Sequence, residues 1–492
     1  MLKFSMIACA LLSACSFKSN ETDGMKMASN QEIRMYMPFT SPIDPARIRT
    51  MPDMVLSFAL GGTLVEWSKS KDIVSAVMGR WEVIGSKTFR FHLRKNAKWS
   101  NGDSITSSDV KRSFERAIKD YPKDLRSLSK ILEKIEPHSE TAIDFKLKVN
   151  ASESNLLGKL TEANYCVIKI DSEGKIDLSQ TAGPFFVKKT DKEEIVLAAN
   201  PHWHRFDSGM SKQITIRWPK DITDLHQVLL EEDWPNLIEF SSLISSDLLK
   251  AYQEKGYSLW ERSIDRIYTF TPGKQGELKD RLDLMQFLAS SLDRERLTQN
   301  LSGYQFADQI FSDGYELFDP ELSFNKKPIS LPKKYQSRPL NILMARLALP
   351  KEMESNLIAA IERATGRKPN IIKITDYMKQ LREGDYDLYA GWVGLADPDI
   401  EGVMSFYIEG DAAPITNEGA DYIARLDQAR KASSGVEKIN LMRSILSDAT
   451  QSGRIVPLFH FSTIGIAKPG VDLSQISKTD EAVTLSEIRF KK

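Results

Sequence analysis

An alternating strand, a turn and a capped helix follow one another within residues 88–122, and this succession constrains the fold more than any other feature. The stretch 88–94 alternates apolar and polar side chains, which is typical of a strand with one buried face. Thr106 precedes Asp109 by three residues, as in a capping box, so a helix is predicted to begin there and to end near Pro122. The fold must therefore combine half-buried strands with helices.

Similar patterns continue along the chain and divide it near residue 270. Before that point, short runs indicate strands that look antiparallel, at 31–37, 141–149, 185–189, 194–198 and 212–218. After it, strand-like runs alternate with helical ones, at 284–292 (helix), 340–344 (strand), 355–365 (helix) and 386–392 (strand). Gly366 is predicted to close the helix at 355–365. Strand, helix, strand order of this kind predicts an α/β domain.

Length and charge bound the kind of protein. The chain has 492 residues, which is too long for one ordinary hydrophobic core, so two or three domains are expected. Lys and Arg together number 67, and so do Asp and Glu, so the chain carries no overall field that would favour nucleic acid or an anionic membrane surface. No run reaches the ~18 apolar residues of a membrane-spanning helix. We therefore predict no nucleic-acid partner.

The first fifteen residues resemble an export signal. A basic residue precedes the apolar run 4–12, which is too short to span a bilayer, and small residues then lead to Cys15. This order resembles the bacterial lipobox, in which the cysteine is lipidated and cleavage follows before it. We predict a lipoprotein signal peptide at 1–14, lipidation of Cys15 and a flexible tether at 15–30. The protein would then be lipid-anchored in the cell envelope, on the periplasmic or extracytoplasmic face.

Cysteines and histidines form no pattern of known chemistry. The chain has three cysteines and no Cys-x-x-Cys or Cys/His cluster, so neither a disulfide framework nor a zinc site is predicted. Cys166 is expected to be a buried, inert thiol. His202 and His204 would point the same way on a strand, but no third ligand is apparent nearby. No nucleophile elbow, phosphate loop or pair of catalytic acids stands out. We predict no cofactor, no metal and no enzymatic activity.

Six motifs, in order, resemble the extracellular solute-binding proteins of family 5, the oligopeptide-, dipeptide- and nickel-binding proteins of ABC importers. The most specific is residues 88–114, TFRFHLRKNAKWSNGDSITSSDVKRSF. The others are AGPF at 182–185, NPHW at 200–203, SLDR at 291–294, GDYDLYAGW at 384–392 and IVPLF at 455–459. The resemblance covers roughly residues 34–466. Each motif falls where the local pattern separately predicts a strand, a turn or a cap.

The resemblance implies an α/β, two-lobed periplasmic-binding-protein fold of the class II type, with an extra α+β domain inserted into the first lobe. Lobe one would comprise residues 31–66, 178–268 and 465–492. The inserted domain would comprise 67–177, and lobe two 269–464. The ligand would lie between the lobes, which close when its contacts favour the closed state over the open one.

The same resemblance implies a receptor that captures a peptide or similar small polar ligand for ABC permease subunits and acts as a monomer. Trp392 is expected to form an apolar wall of the cleft, and Tyr268 and Phe270 to belong to a hinge strand that contacts ligand. In relatives that bind peptides, an Asp shortly after this Trp receives the ligand's amino group. Leu395 occupies that position here, and Asp397 is expected to take over the role.

Each assignment has a structural alternative. Asp397 and Asp399 would instead cap the following helix, Trp392 would be an ordinary core tryptophan, and residues 267–271 would be a plain strand. The departure at Leu395 also leaves a second function open. In that alternative, a surface lipoprotein of the same fold binds a partner, or senses a ligand for another protein, without transport.

Overall fold

Both helices and strands occur in each part of the described chain of this computed structural model. The structure describes residues 31–37, 43–48, 51–68, 72–121, 126–148, 153–217, 236–240, 246–273, 281–298, 304–313, 315–322, 329–345, 349, 351–373, 377–394, 400–409, 421–432, 434–476 and 484–491. Within these residues no helix is both long enough and apolar enough to cross a membrane.

Short strands dominate the first part of the chain. Its elements are β1 (Glu32–Tyr36), α1 (Met51–Leu60), β2 (Val65–Trp67), β3 (Ile73–Ser75), β4 (Met78–Val83), β5 (Thr88–Leu93), α2 (Ser107–Asp120), α3 (Arg126–Ile131), β6 (Leu132–Ser139), β7 (Ala142–Leu147), α4 (Glu153–Leu160), β8 (Ile168–Ile170), β9 (Ile176–Thr181), β10 (Phe185–Thr190), β11 (Glu194–Ala199) and β12 (Gln213–Arg217). The strands predicted at 31–37, 141–149, 185–189, 194–198 and 212–218 are confirmed with small shifts at their ends.

Helices are more frequent in the second part. Its elements are β13 (Leu237–Phe240), α5 (Ser246–Glu254), β14 (Ser258–Pro272), α6 (Leu282–Ser291), α7 (Arg294–Thr298), β15 (Tyr304–Phe306), β16 (Asn341–Met344), α8 (Lys351–Thr365), β17 (Asn370–Ile371), α9 (Tyr377–Glu383), β18 (Leu388–Gly394), α10 (Ile400–Glu409), α11 (Tyr422–Arg430), α12 (Gly435–Gln451), β19 (Val456–Ala467), β20 (Val471–Asp472) and β21 (Arg489–Phe490).

The first sheet has four strands in the order β1-β12-β11-β10, and α1 packs its apolar side chains into the same core. β1 joins β12 in parallel, and the other pairs are antiparallel. Asn236 connects β1 with β13, the strand that begins directly after Asn236. Its side-chain nitrogen donates to the carbonyl of Glu32 at 2.8 Å, and its side-chain oxygen accepts from the amide of Arg34 at 2.8 Å. Asn236 therefore continues the hydrogen bonding of β1 toward the second sheet.

A separate antiparallel sheet, in the order β4-β5-β7-β6, forms the inserted part of the chain. One face packs against α2, where the Phe145 ring lies edge-on to Phe91 at 5.1 Å and to Phe114 at 5.4 Å. The predicted capping box is confirmed. The Thr106 hydroxyl accepts from the amide of Asp109 at 3.2 Å, and the Asp109 carboxylate accepts from the amide of Thr106 at 3.0 Å. Helix α2 begins directly after this cap.

The second sheet has seven strands, in the order β13-β19-β14-β18-β16-β17, with β15 paired to β19. The pairs β16–β18 and β16–β17 are parallel, as the strand–helix order predicts. Helices α6 and α8 bury apolar side chains on one face. Helices α10, α11 and α12 do so on the other. The sheet is therefore covered on both sides, which explains its nearly continuous apolar strands.

Two predicted elements of the second part differ from the structure at their ends. Helix α8 begins at Lys351, four residues before the predicted start, and ends as predicted at Gly366, whose positive φ of 71° suits a helix terminus. Strand β18 begins at Leu388 instead of residue 386. The buried Asp387 carboxylate accepts two hydrogen bonds from Arg338, at 2.7 and 2.8 Å, and so anchors the chain before the strand begins.

β14 and β19 are two long, paired strands of the second sheet, and their two ends lie in different surroundings. At one end Trp260 pairs with Gly465 and packs against the core of the first sheet. A Cβ at residue 465 would lie 2.0 Å from the Trp260 indole nitrogen, so only glycine fits beneath the ring. At the other end Tyr268 pairs with Phe459 inside the core of the second sheet. Register shifts separate the two ends, between residues 261 and 266.

The two strands therefore connect two hydrophobic cores, as expected for lobes joined by a hinge. The domain ranges given above remain predictions. Cys166 is buried, and burial raises the pKa of its thiol to about 12, in agreement with the predicted inert cysteine.

Candidate ligand-binding site

Four strands contribute neighbouring residues where the second sheet approaches the register shifts. Arg266 of β14 lies opposite Gly394 of β18 on one side and Phe461 of β19 on the other. Tyr304 of β15 lies opposite Phe461. Because directly paired residues project to the same face of a sheet, these side chains share one face. We call these four residues the boundary row.

A second row lies two residues deeper on the same face. Tyr268 pairs with Trp392 on one side and with Phe459 on the other. Since side chains alternate with a period of two, this row is continuous with the boundary row. The face therefore carries Arg266 at its edge and aromatic rings on all four strands.

The rings of the two rows are in mutual contact and form an aromatic cluster, made of Tyr268, Tyr304, Trp392, Phe459 and Phe461. Tyr268 stacks on Phe459 at 5.1 Å, Tyr304 meets Phe459 at 5.6 Å, and Trp392 meets Phe461 edge-to-face at 6.2 Å. Tyr268, Phe459 and Phe461 are fully buried, whereas Trp392 and Tyr304 are partly exposed. The surface that the cluster offers thus comes from Trp392 and Tyr304.

Arg266 lies behind the exposed tryptophan. Its guanidinium carbon is 5.2 Å from the centroid of the Trp392 ring, and the residue is 0% exposed. Burying a guanidinium costs free energy unless its charge and its donors are matched. The stack on Trp392 is one of the contacts that offset this cost, because a desolvated cation–π contact is stronger than an exposed one. Gly394, opposite Arg266, contributes no side chain to this space.

The other face of the same strands carries His460. It pairs with Ile267 of β14 and with Gln305 of β15, and it is 4% exposed. Burial lowers the pKa of His460 to about 4, although hydrogen bonds with the backbone of Gln309 and Arg266 act in the opposite direction. The imidazole is therefore neutral at physiological pH, and the cation at this boundary is Arg266.

The structure brings three of the predicted site residues to one face of the second sheet. Trp392 lies at the edge of that face and keeps part of its surface exposed. Tyr268 and Phe270 lie deeper and are fully buried in this conformation, and the Tyr268 hydroxyl donates to the carbonyl of Ala390 at 3.0 Å. Ligand contact by all three remains a prediction. Asp397 lies outside the described residues.

Two other predictions also concern residues outside the described part of the chain. These are the lipidation of Cys15 and the exchange of roles between Leu395 and Asp397. The described neighbours of that loop are Gly394, which ends β18, and Ile400, which begins α10.

The sequence reasoning did not single out Arg266, Tyr304, Phe461 or His460. A signal for Arg266 was present, because it stands two residues before Tyr268 and four before Phe270. A charged side chain in phase with buried aromatic residues of one strand is unusual and marks a special position. The other three lacked a local signal, since their importance depends on which strands are neighbours.

His204, in the loop after β11, has a structural role. His204 lies 3.4 Å from a carboxylate oxygen of Glu66, and Arg205 donates to the other oxygen at 3.0 Å. These contacts join the loop after β11 to β2. In the part of the chain that the structure describes, no three His, Cys, Asp or Glu side chains are grouped as metal ligands.

A polar groove of about 430 Å³ lies elsewhere in the second part of the chain, against α12. It is lined by Asp319, Pro320, Glu321, Asn440, Arg443, Ser444 and Ser447. The Arg443 guanidinium is committed to the carbonyl of Glu316, with donor–acceptor distances of 2.6 and 3.0 Å. None of these residues belongs to the aromatic cluster, so the groove is a separate surface feature.

Sequence comparison connects the chain with a known family. The model of the bacterial extracellular solute-binding proteins, family 5 (middle region), matches residues 72–334, which is more than half of the chain. The periplasmic murein peptide-binding protein MppA of Escherichia coli is 30% identical over 118 residues. This segment is 23% of the present chain and 22% of MppA, so the chain matches only about a fifth of that relative's length.

Structural comparison covers nearly the whole chain. The crystal structure of NikA from Brucella suis in complex with Fe(III)-EDTA has a TM-score of 0.76 at 17% identity, and the match covers 94% of this chain and 100% of NikA. The dipeptide-binding protein from Pseudoalteromonas sp. SM9913 in complex with Met-Leu has a TM-score of 0.76 at 16% identity, with the same coverage. At these identities the likeness establishes a shared fold. The chain belongs to the bacterial extracellular solute-binding proteins of family 5 and has their multi-domain α/β fold.

Proposed function

We propose that this protein captures a peptide or a similar small polar ligand between its two lobes and delivers it to the permease subunits of an ABC importer. Family membership supports the proposal, as does a fold match over 94% of the chain with proteins crystallised with Met-Leu or Fe(III)-EDTA. The observation that carries it is the crossing of β14 and β19 between two cores, with the partly exposed Trp392 beside the crossing. Strands that join two rigid bodies suit hinge closure around a ligand.

In the proposed site, Trp392 provides an apolar wall on the side of the second sheet. Tyr268 and Phe270 support this wall from beneath, and they contact ligand once the ligand-bound conformation exposes them. Asp397, two positions after Leu395, receives an amino group of the ligand, because a carboxylate and an ammonium form a strong charge-assisted hydrogen bond. The protein works without a cofactor, as a monomer, and performs no chemistry on the ligand.

The proposal includes the place where the protein works. Lipidation of Cys15 holds it at the extracytoplasmic face of a membrane, where it meets both ligand and permease. The substitution Cys15→Ser is expected to move the protein from the membrane fraction to the extracytoplasmic fluid. Mass spectrometry of the mature N-terminal peptide provides the second measurement, since a diacylglyceryl group on Cys15 changes its mass.

Native mass spectrometry of the purified protein, followed by thermal unfolding with di- to pentapeptides, tests capture itself. A ligand at 100 times its dissociation constant adds about 2.7 kcal/mol to the free energy of unfolding. Trp392→Leu is expected to reduce this gain. Trp81→Leu is the matched control, because Trp81 is a partly exposed tryptophan of the inserted sheet that donates to Glu153 at 2.6 Å. A protein that carries no ligand and is stabilised by no peptide would refute the proposal.

The alternative function, partner binding or sensing without transport, is favoured by Leu395 at the position where peptide-binding relatives carry Asp. The two functions differ in what deletion of the gene does. Transport predicts that uptake of a labelled peptide falls in the deletion strain and returns with the intact gene. Sensing predicts unchanged uptake together with ligand-dependent capture of a second protein.

A further inference from the structure

We propose that Arg266 is a positioning residue for the ligand wall. Its guanidinium holds the Trp392 indole so that Trp392 presents an ordered aromatic surface, which selects ligands carrying an aromatic or flat apolar group. This inference rests on the proposed function and adds to it a residue and a ligand class.

The strand register places the arginine where it can act on the indole. Arg266 on β14 lies directly opposite Gly394 on β18, so no side chain fills the position across from it. Trp392, also on β18, is the diagonal neighbour of Arg266. Diagonal pairs on one face of a sheet are within reach of long and aromatic side chains. The guanidinium carbon lies 5.2 Å from the ring centroid, within the usual distance of a cation–π contact.

Two contacts from different directions define the orientation of the indole. Arg266 approaches the ring of Trp392, and Phe461 meets it edge-to-face at an interplanar angle of 78°. Arg266 is 0% exposed and Phe461 is fully buried, so both partners are fixed by the core. A partly exposed tryptophan without such contacts would exchange among staggered rotamers. The wall is thus ordered before ligand arrives, which reduces the entropy lost on binding.

Tyr304 packs on the far side of Phe461, the ring that Trp392 meets, and so supports the wall from β15. It stacks on Phe461 at 6.3 Å and meets Phe459 at 5.6 Å. The Tyr304 hydroxyl is buried and has no hydrogen-bond partner among the described residues, so this side chain offers no polar atom at the surface. The ordered Trp392 ring gains most from a ligand that is itself aromatic, because aromatic pairs add to the free energy of burial.

The positioning part of the proposal can be measured without any ligand. The protein is labelled with 5-fluorotryptophan, and the signal of Trp392, one of eight tryptophans, is assigned with Trp392→Phe. Arg266→Met is expected to shift and broaden that fluorine signal while the others hold their positions. Arg425→Met is the matched control, because Arg425 lies 5.5 Å from the centroid of the Tyr422 ring, on α11, away from the aromatic cluster.

The ligand class is measured with two probe peptides, Ala-Phe-Ala and Ala-Ala-Ala, by calorimetric titration. The wild type is expected to bind Ala-Phe-Ala more tightly. Arg266→Met should weaken Ala-Phe-Ala about three- to tenfold and change Ala-Ala-Ala by less than about twofold. Arg266→Lys keeps the charge and loses the flat guanidinium, so we expect an intermediate loss. It also serves as the test variant if Arg266→Met does not fold.

The outcomes separate this inference from the proposed function. An unchanged Trp392 fluorine signal in Arg266→Met overturns the positioning role whatever the ligand is. Equal weakening of both probes assigns Arg266 a purely structural role and also overturns the proposal. If the wild type binds neither probe, peptide capture and the ligand class fail together, and the fluorine signal still decides the positioning role.

Discussion

The inserted sheet and the boundary row of the second sheet use charge in opposite ways. The inserted sheet is covered by α2 on one face, and its other face carries exposed ion pairs such as Lys146 with Glu136, joined at 2.6 Å. The second sheet is covered on both faces, and its boundary row buries one cation, Arg266, against an indole. Exposed ion pairs cost little free energy to form and contribute little to stability. A buried charge, in contrast, destabilises the fold unless partner groups compensate for its lost hydration. A functional reason is therefore to be sought at Arg266.

The largest expected effect tests whether the inserted sheet has a core of its own. Phe145→Ala removes a fully buried ring that meets Phe91 and Phe114, and we expect a loss of about 3–5 kcal/mol in the free energy of unfolding. Phe459→Ala is the matched change in the second sheet, with a loss of similar size. Hydrogen exchange should locate the first loss in β4–β7 and the second in β14 and β19. A loss spread evenly over the chain after either change would contradict separate cores.

The next largest expected effect is a pH dependence of the free energy of unfolding, and it arises in the second sheet. His460 has a pKa of about 4 in the folded protein and about 6.5 unfolded, so between these values the unfolded chain binds more protons. The stability that the lowered pKa of His460 contributes is complete above pH 6.5. As the pH falls to 4, the free energy of unfolding decreases by up to roughly 3 kcal/mol. Urea unfolding of wild type and His460→Gln at pH 7 and pH 4.5 measures the difference. Equal pH dependence in both proteins would exclude His460 as the source.

The two regions also differ in how far the sequence predicts them. The strand at 88–94 and the Thr106–Asp109 cap could be predicted because each depends on neighbours within a few residues. The fold class was likewise accessible, because six ordered motifs resemble one family. At the boundary row the decisive contacts are distant in sequence; Tyr268 and Ala390, which share a hydrogen bond, are 122 positions apart.

Local patterns state that a strand has a buried face and do not state which strand lies beside it. Trp392 could be selected from its motif, and the stack on Arg266 could not, since it requires the pairing of β14 with β18. Tyr268 and Phe270 were selected by the same resemblance, and the structure adds that their side chains are fully buried. Burial of this kind follows from helices α6 and α8, which pack their apolar side chains on this face of the sheet.

A smaller effect compares the caps of the two regions. In the inserted domain, Thr106→Ala removes the hydroxyl that accepts from the amide of Asp109, while the backbone amide of residue 106 keeps its bond to the Asp109 carboxylate, and the change is expected to cost about 1 kcal/mol. Ser434→Ala removes the cap of α12, where the hydroxyl accepts from the amide of Glu437 at 3.2 Å, and a loss of similar size is expected. Thermal unfolding of both variants provides the measurement. A cap that proved essential in one region and neutral in the other would show that local sequence does not determine both helices alike.

The smallest effect concerns the exposed face of the inserted sheet. Glu136 accepts hydrogen bonds from Lys134 and from Lys146, the latter at 2.6 Å, and these contacts lower the pKa of Glu136 to about 2. Lys146→Ala should raise this pKa toward its ordinary value, which NMR titration of the carboxylate can follow. The depressed pKa stabilises the fold above pH 4.5 and loses its effect as the pH falls toward 2.

All three of these side chains remain in contact with water, so salt screens their attraction and the urea midpoint at pH 7 should hardly move. Arg266→Met is the opposing measurement, because no salt reaches a fully buried guanidinium. We expect the change that Lys146→Ala makes in the free energy of unfolding to vanish in 1 M NaCl. The change that Arg266→Met makes in the same quantity should persist. If both effects vanished in salt, Arg266 would be solvated like a surface charge, and the contrast between the two sheets would not hold.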